Sequence, residues 1–449
     1  MKGKNAMLSK DLQKHLKDEI DHIPVVDTHE HMYFPEEDYV KLKADFGQFL
    51  FHYNSDDLQS AGMEIPDLRE FRDTAGNVIR VNGMPLSLEE KWKYIKPHWE
   101  NVKYTGYGRT VQLSLRKLCG IDDLKDDTYQ EVSEKLTALM KPGIYRKILK
   151  DICNFTYIMN DVDLMVAPGA FERLDRTLFH FVARFRCFTH AHMPAGIEFL
   201  EKKFNRTIRS VDHLIDTIDM QFDQWEAEKR VALKTSDAYL RTIHFEDSTR
   251  SEAERVLNRV FTLRKIPTYN ESLSFEETRP FENFFMHRIL ERAEERHIPV
   301  IIHTGIQAFL HNELINSRAM LLTNLFRKYP KLRFHLLHSS YPWMEEAVCL
   351  AKQFPNVSLD LAWVHVIVPQ GARTGLSHML DAVPVNKIHG FGGDYMVPLN
   401  IWGALEMARE NIAIVLSEKV ENGHMTESDA VDIAWKLLNK NAHGIFWLQ

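Results

Sequence analysis

The chain has 449 residues, is 44% hydrophobic and 27% charged, and carries a net charge of −7 at pH 7. That length suits two or three domains, or one large barrel with insertions. The acidic balance and the lack of any strongly basic stretch argue against a nucleic-acid binder. The four cysteines, Cys119, Cys153, Cys187 and Cys349, are scattered without a CxxC pair; this argues against a disulfide framework and a thiolate zinc site. The first residues lack the apolar core of a signal peptide, and no apolar run is long enough to span a bilayer, so a cytoplasmic protein is expected.

Residues 8–20 read as a short amphipathic helix, followed by a first strand over 23–27. From Tyr33 to Lys150 helical periodicities recur (88–95, 111–118, 129–140), and Asp73–Asn77 and Asn82-Gly83 are candidate hairpin turns. A block this long is too large for a loop. It reads as a mostly helical insertion, 33–150, that forms a lid or a subunit contact, leaving 1–32 and 151–449 for the main domain. Strands are then expected at 154–159, 177–188, 231–234, 298–303, 332–338, 356–361 and 387–392. Helices are expected at 211–228, 281–296, 318–329, 342–353, 373–382, 399–416 and 427–438, with an irregular stretch over 242–277. Regular strand–helix alternation implies parallel strands joined by right-handed crossovers. Eight strands make an α/β fold, a (β/α)8 TIM barrel, the economical reading. No GxGxxG follows a strand, which counts against a dinucleotide-binding sheet.

In a parallel barrel the working residues sit at the C-terminal strand ends. Those positions hold His29 and His31, Lys234, His303, His338 and Asp394. In a strand, residues i and i+2 share a face about 6.6 Å apart, so His29 and His31 can reach one cation. Imidazole and carboxylate suit zinc and similar divalent ions. His190-Ala-His192 is a second His-x-His, weaker because Pro194 follows at once. His335 is expected to pack beneath the helices. Arg186, Tyr239, Arg241, Tyr341, Trp343, His365 and Tyr395 lie near strand ends and are candidates for binding substrate.

The ordered set His-x-His, Lys, His, His, Asp resembles the amidohydrolase superfamily. Leu233-Lys-Thr-Ser-Asp-Ala-Tyr-Leu-Arg241, His303-Thr-Gly, Leu336-Leu-His-Ser-Ser-Tyr-Pro-Trp343 and Phe391-Gly-Gly-Asp394 are similar to its amidohydrolase-related branch. The resemblance covers about 23–31 and 230–444. It implies that His29, His31 and Asp394 bind one metal, and His303 and His338 a second, zinc being the first expectation. It also implies that Lys234, carboxylated by carbon dioxide, bridges them; a bare ammonium has no lone pair to offer, whereas a carbamate has two oxygens. The activity implied is hydrolysis of an amide, ester or lactone bond of a small molecule, with a metal lowering the pKa of water to about 7 and Asp394 shuttling the proton. The alternative is a uronate-isomerase-like aldose–ketose isomerase, a family that resembles this chain in its His-x-His and helical insertion, or a mononuclear decarboxylase; both work with one metal and need no bridging lysine. A homo-oligomer is carried as an expectation by base rate.

Overall fold

The computed structural model describes residues 2–42, 44–50, 52–64, 71–72, 78–79, 87–161, 170–263 and 273–446. Its strands in chain order are β1 Val25–Glu30, β2 Phe155–Asp161, β3 Phe179–Arg184, β4 Ala232–Thr235, β5 Val300–His303, β6 Phe334–Leu337, β7 Val357–Asp360 and β8 Ile388–His389. They form one sheet whose spatial order is the chain order, curled into a nearly closed (β/α)8 barrel. Every residue of β1, β4, β5, β6 and β7 is buried, as expected for parallel strands covered on both faces.

The helices begin and end where local chemistry dictates. The longer ones are α1 Lys2–Asp21, α2 Tyr53–Ser60, α3 Leu88–Val102, α4 Gly106–Cys119, α5 Tyr129–Leu139, α6 Pro194–Phe204, α7 Val211–Ala227, α8 Arg250–Leu263, α9 Phe275–Glu295, α10 Met344–Gln353, α11 Pro369–Ala382, α12 Ile401–Glu421 and α13 Glu427–Trp435. Ser87 and Glu90 form a capping box at the start of α3, and Ser274 and Glu277 do the same for α9, each satisfying orphan amide donors. Helix α4 stops at Gly120, whose φ of 69° is the left-handed cap that glycine adopts at little cost.

Three departures from the expected elements stand out. The third strand ends at Arg184 rather than 188, because Arg186–Thr189 turns helical and Phe188 enters the core there. The stretch taken as irregular contains α8, whose buried Ala253, Val256, Leu257 and Val260 follow helical spacing. The helix expected over 318–329 is a 3-10 turn, Ala319–Leu322, that runs into a short helix, Thr323–Lys328. An antiparallel pair, Phe71–Arg72 with Val78–Ile79, flanks one expected turn, but residues 73–77 and 82–83 themselves lie outside the described set.

Two compact units divide the chain. The first comprises Met1–His180, Ala308–Asn312 and Asp360–Gly444; the second comprises Phe181–Gln307, Glu313–Leu359 and Ile445–Gln449. In the first unit the segment after β8 closes on β1: Thr28 N donates to Phe391 O at 3.2 Å, Asp394 N to His29 O at 2.8 Å and His31 N to Tyr395 O at 2.9 Å. In the second, one register line runs Arg184, Lys234, Ile301, His335, Ser358 across five adjacent strands.

Candidate metal centre

In the first unit, β1 carries an irregularity in its pairing with β2 between Asp27 and Glu30. Bulges of this kind re-aim side chains at strand ends, and the His29 and His31 rings come to lie 4.6 Å apart, edge to face. Asp394 Oδ1 sits 3.4 Å from His29 Nε2 and 3.1 Å from His31 Nε2. Ligands about 2.0–2.1 Å from one tetrahedral ion stand about 3.3 Å from each other, so each imidazole nitrogen lies from Asp394 Oδ1 at the separation of two ligands on one ion. His31 Nδ1 lies 2.9 Å from the carbonyl oxygen of Asp161. A donor is required there, which leaves the lone pair on Nε2, facing Asp394.

Carboxyl groups support this triad from beneath. Asp27 Oδ1 accepts from the amides of His29 at 3.1 Å and Gly393 at 3.3 Å. Glu30 Oε2 accepts from Tyr395 N at 2.6 Å, and Asp360 Oδ2 accepts from the Thr28 hydroxyl at 2.5 Å. All three are buried. Burial pushes Asp27 up to about 7 despite its hydrogen bonds; burial, and then the charge of Asp27, pushes Glu30 well above the usual carboxylate range. A Cβ on Gly393 would meet Glu30 Oε1 at 2.0 Å, so only glycine permits this close approach. Asp394 itself has φ 63°, a backbone state that aspartate tolerates better than most residues.

The same unit supplies an aromatic wall. Tyr53 packs on Trp363 with centroids 4.2 Å apart and on Tyr395 at 6.0 Å, while Tyr107 stacks on Tyr53 at 5.8 Å. Tyr53 and Tyr107 come from residues 33–150, so that segment packs beside Asp394. Burial, followed by the charges of Tyr395, Asp57, Asp56 and Asp394, holds the Tyr107 phenol well above its ordinary range.

In the second unit, Lys234 is 1% exposed and sits at the C-terminal end of β4. His303 ends β5, and His338 follows β6 directly. The chain leaves β6 through three successive left-handed residues, His338, Ser339 and Ser340, at φ 60°, 43° and 58°. Such strain gathers where a side chain must be aimed. It brings His338 Nε2 to 3.2 Å from His303 Nδ1, again the separation of two ligands on one ion. His303 Nε2 lies 3.0 Å from Ile306 O, which assigns the proton to Nε2 and the lone pair to Nδ1. Tyr239 packs on His303 with centroids 4.8 Å apart.

Other candidates are absorbed by the fold. Arg241 donates to Thr242 O, His244 O, Asn283 Oδ1 and Glu282 and lies between Phe245 and Phe275, so its donors serve the protein rather than a substrate carboxylate. His365 bonds Gly390 O and Asn411, and burial lowers it to about 4. His335 is fully buried, bonds Ser358 Oγ at 3.0 Å and packs on Phe446. His192 pairs with Glu282 at 2.8 Å. The Asp161 carbonyl and the Tyr53–Tyr107 wall were not foreseen: a backbone acceptor leaves no mark in a sequence. Asp27 and Glu30 flank the His-x-His and could have been marked by that adjacency.

Among known proteins, the amidohydrolase family model matches residues 216–420. Protein fluG of Emericella nidulans is 33% identical over 151 residues, 33% of this chain and 17% of that protein, so the match spans less than a fifth of that relative. Uronate isomerase from Thermotoga maritima superposes with a TM-score of 0.78 at 16% identity, covering 97% of each chain. A Lactobacillus casei protein described as a metal-dependent hydrolase gives 0.63 at 15% identity, covering 96% and 97%. Residues 216–420, a little under half of the chain, thus resemble the amidohydrolase family, and the superposed structures share its barrel fold.

Proposed function

We propose that the protein is a metal-dependent hydrolase acting on an amide, ester or lactone bond of a small molecule. His29, His31 and Asp394 hold one divalent ion, zinc in the first instance. Lys234, His303 and His338 are the ligand set of a second, with Lys234 carrying a carbamate derived from carbon dioxide. A divalent ion in such a site supplies Lewis-acid activation of water and of a carbonyl group. Asp394 takes the proton from the attacking water and returns it to the leaving group. The hydrogen bond from its amide N–H to the His29 carbonyl, and the carboxyl groups beneath, hold it still while it does so. The segment 33–150 acts as a lid, because Tyr53 and Tyr107 are its residues and they pack beside Tyr395.

The single observation that carries the reading is the His31–Asp394 separation of 3.1 Å, with the His31 tautomer set by the Asp161 carbonyl. The test is to load the purified protein with zinc or manganese, measure metal per chain, and screen amides, esters, lactones and sugar acids. Metal-dependent hydrolysis supports the proposal; metal-dependent isomerisation of a uronate, with no hydrolysis, overturns it. That second reading, a sugar-acid isomerase, is favoured by the likeness to a uronate isomerase over 97% of both chains, the helical segment included. The hydrolase reading takes first place because Lys234 stands, buried, at the C-terminal end of β4, the strand-end position from which a carbamate would ligate.

A further inference from the structure

A cluster of ionisable side chains in the second unit takes no part in the proposed ligand sets. It comprises His190 and His192 after β3, Asp237 on the 3-10 turn Asp237–Tyr239 after β4, and Glu282 on α9. Glu282 is fully matched: Arg241 Nη1, His192 Nε2 and the Thr278 hydroxyl all approach its oxygens at 2.8 Å. Asp237 is not. It is 1% exposed, and neither carboxylate oxygen has a hydrogen-bond partner among the described residues. The basic group found within 4 Å of it among the described residues is His190, whose Nδ1 lies 3.9 Å away, beyond hydrogen-bond reach. That nitrogen already lies 2.9 Å from the Thr189 hydroxyl, and burial disfavours the charged imidazole. Meanwhile the Asp237 backbone is firmly held: its amide donates to Thr235 Oγ1 at 3.2 Å, and its carbonyl accepts from Leu240 N and Arg241 N.

A rigidly placed, buried and unmatched carboxylate destabilises a fold, and such groups mark places where an ion or ligand completes the set. The turn that carries Asp237 also carries Tyr239, which packs on His303. We propose that Asp237, flanked by His190, is the recognition site for a primary ammonium group on the substrate. An ammonium supplies both the missing charge and up to three N–H donors; a hydroxyl supplies donors without charge. This deepens the hydrolase reading by naming a substrate class, amino-bearing small molecules, and it rests on that reading only for the word substrate.

The test uses the metal-loaded full chain and three probes at equal ionic strength: n-butylammonium chloride, 1-butanol and tetramethylammonium chloride. Saturation-transfer NMR is expected to show saturable binding of n-butylammonium and none of the other two, tetramethylammonium having charge but no N–H. In Asp237→Asn the n-butylammonium affinity falls at least tenfold, while the ligand-free Tm rises by about 1–2 °C because an unmatched charge has gone. His190→Gln, which keeps Asp237, retains binding within about threefold, a check that does not depend on the first variant folding. No n-butylammonium binding to the wild type, equal binding of 1-butanol, or unchanged binding in Asp237→Asn overturns the proposal. Absence of metal-dependent hydrolysis with amine binding intact would instead remove the hydrolase reading and leave this site standing.

Discussion

The amide of Asp394 donates to the carbonyl of His29 across 2.8 Å, so the carboxylate and the imidazole proposed to share a cation are tied together through the main chain. The tie does not depend on the Asp394 side chain. Asp394→Asn should therefore keep the fold and keep most of the bound metal, since an amide oxygen can still ligate. It should lose turnover by at least about a hundredfold, because an amide cannot accept the proton. Metal analysis and a rate measurement on the same sample check this; full activity in the variant removes Asp394 from the chemistry.

Gly393 is held against Glu30. A methyl group at Gly393 would sit 2.0 Å from Glu30 Oε1, and Glu30 is anchored by Tyr395 N. Gly393→Ala should cost about 1–3 kcal/mol through overpacking and should displace the neighbouring Asp394, weakening metal binding as well. Thermal denaturation with and without added zinc separates the two effects. An unchanged metal affinity would show that the carboxyl layer beneath does not position the ligands.

How much of this was legible in the sequence depends on the scale of the signal. Strand ends could be read because buried parallel strands are apolar runs, and Lys234, His303 and His338 stand where such runs stop. The pairing irregularity in β1 and the left-handed backbone at His338–Ser340 could not, since they are set by packing against neighbouring strands and not by local propensity. Simple alternation placed His29 and His31 on one face, but it says nothing of His338, which reaches His303 only because the chain turns at His338–Ser340. Helix α8 was readable from Ala253, Val256, Leu257 and Val260, yet its dense charges masked that stripe within a long polar stretch. Asp237 carried no signal at all; an unmatched carboxylate exists only once its surroundings have folded.

Lys234 offers the sharpest test of metal count. Lys234→Met keeps an apolar stem of similar length and removes the group that carbon dioxide would modify. Under the hydrolase reading the wild type binds two ions and the variant one, through His29, His31 and Asp394. Added short-chain carboxylates should partly restore the second, since they supply the missing oxygen ligand. Inductively coupled plasma analysis reads the stoichiometry directly. One ion per chain in both proteins would favour the isomerase reading.

Glu282 supplies a pH prediction with a definite sign. Burial alone would raise its pKa, but the His192 hydrogen bond and the charges of His190, His192 and Arg241 outweigh burial and hold it near 2, against an ordinary value of 4.5. A carboxyl depressed in the folded state contributes stability that is fully present above the unfolded value of 4.5 and is lost as pH falls from there towards 2. A shift of this size corresponds to roughly 3 kcal/mol. Glu282→Gln should therefore destabilise the protein at pH 7 by about 3–5 kcal/mol, leaving the Arg241 guanidinium buried without its counter-charge. Between pH 4.5 and 2.5 its stability should fall less steeply than that of the wild type. Urea denaturation at pH 7, 4.5 and 3 measures both slopes, and parallel curves would mean that Glu282 titrates normally and that the network around Arg241 is not held by charge.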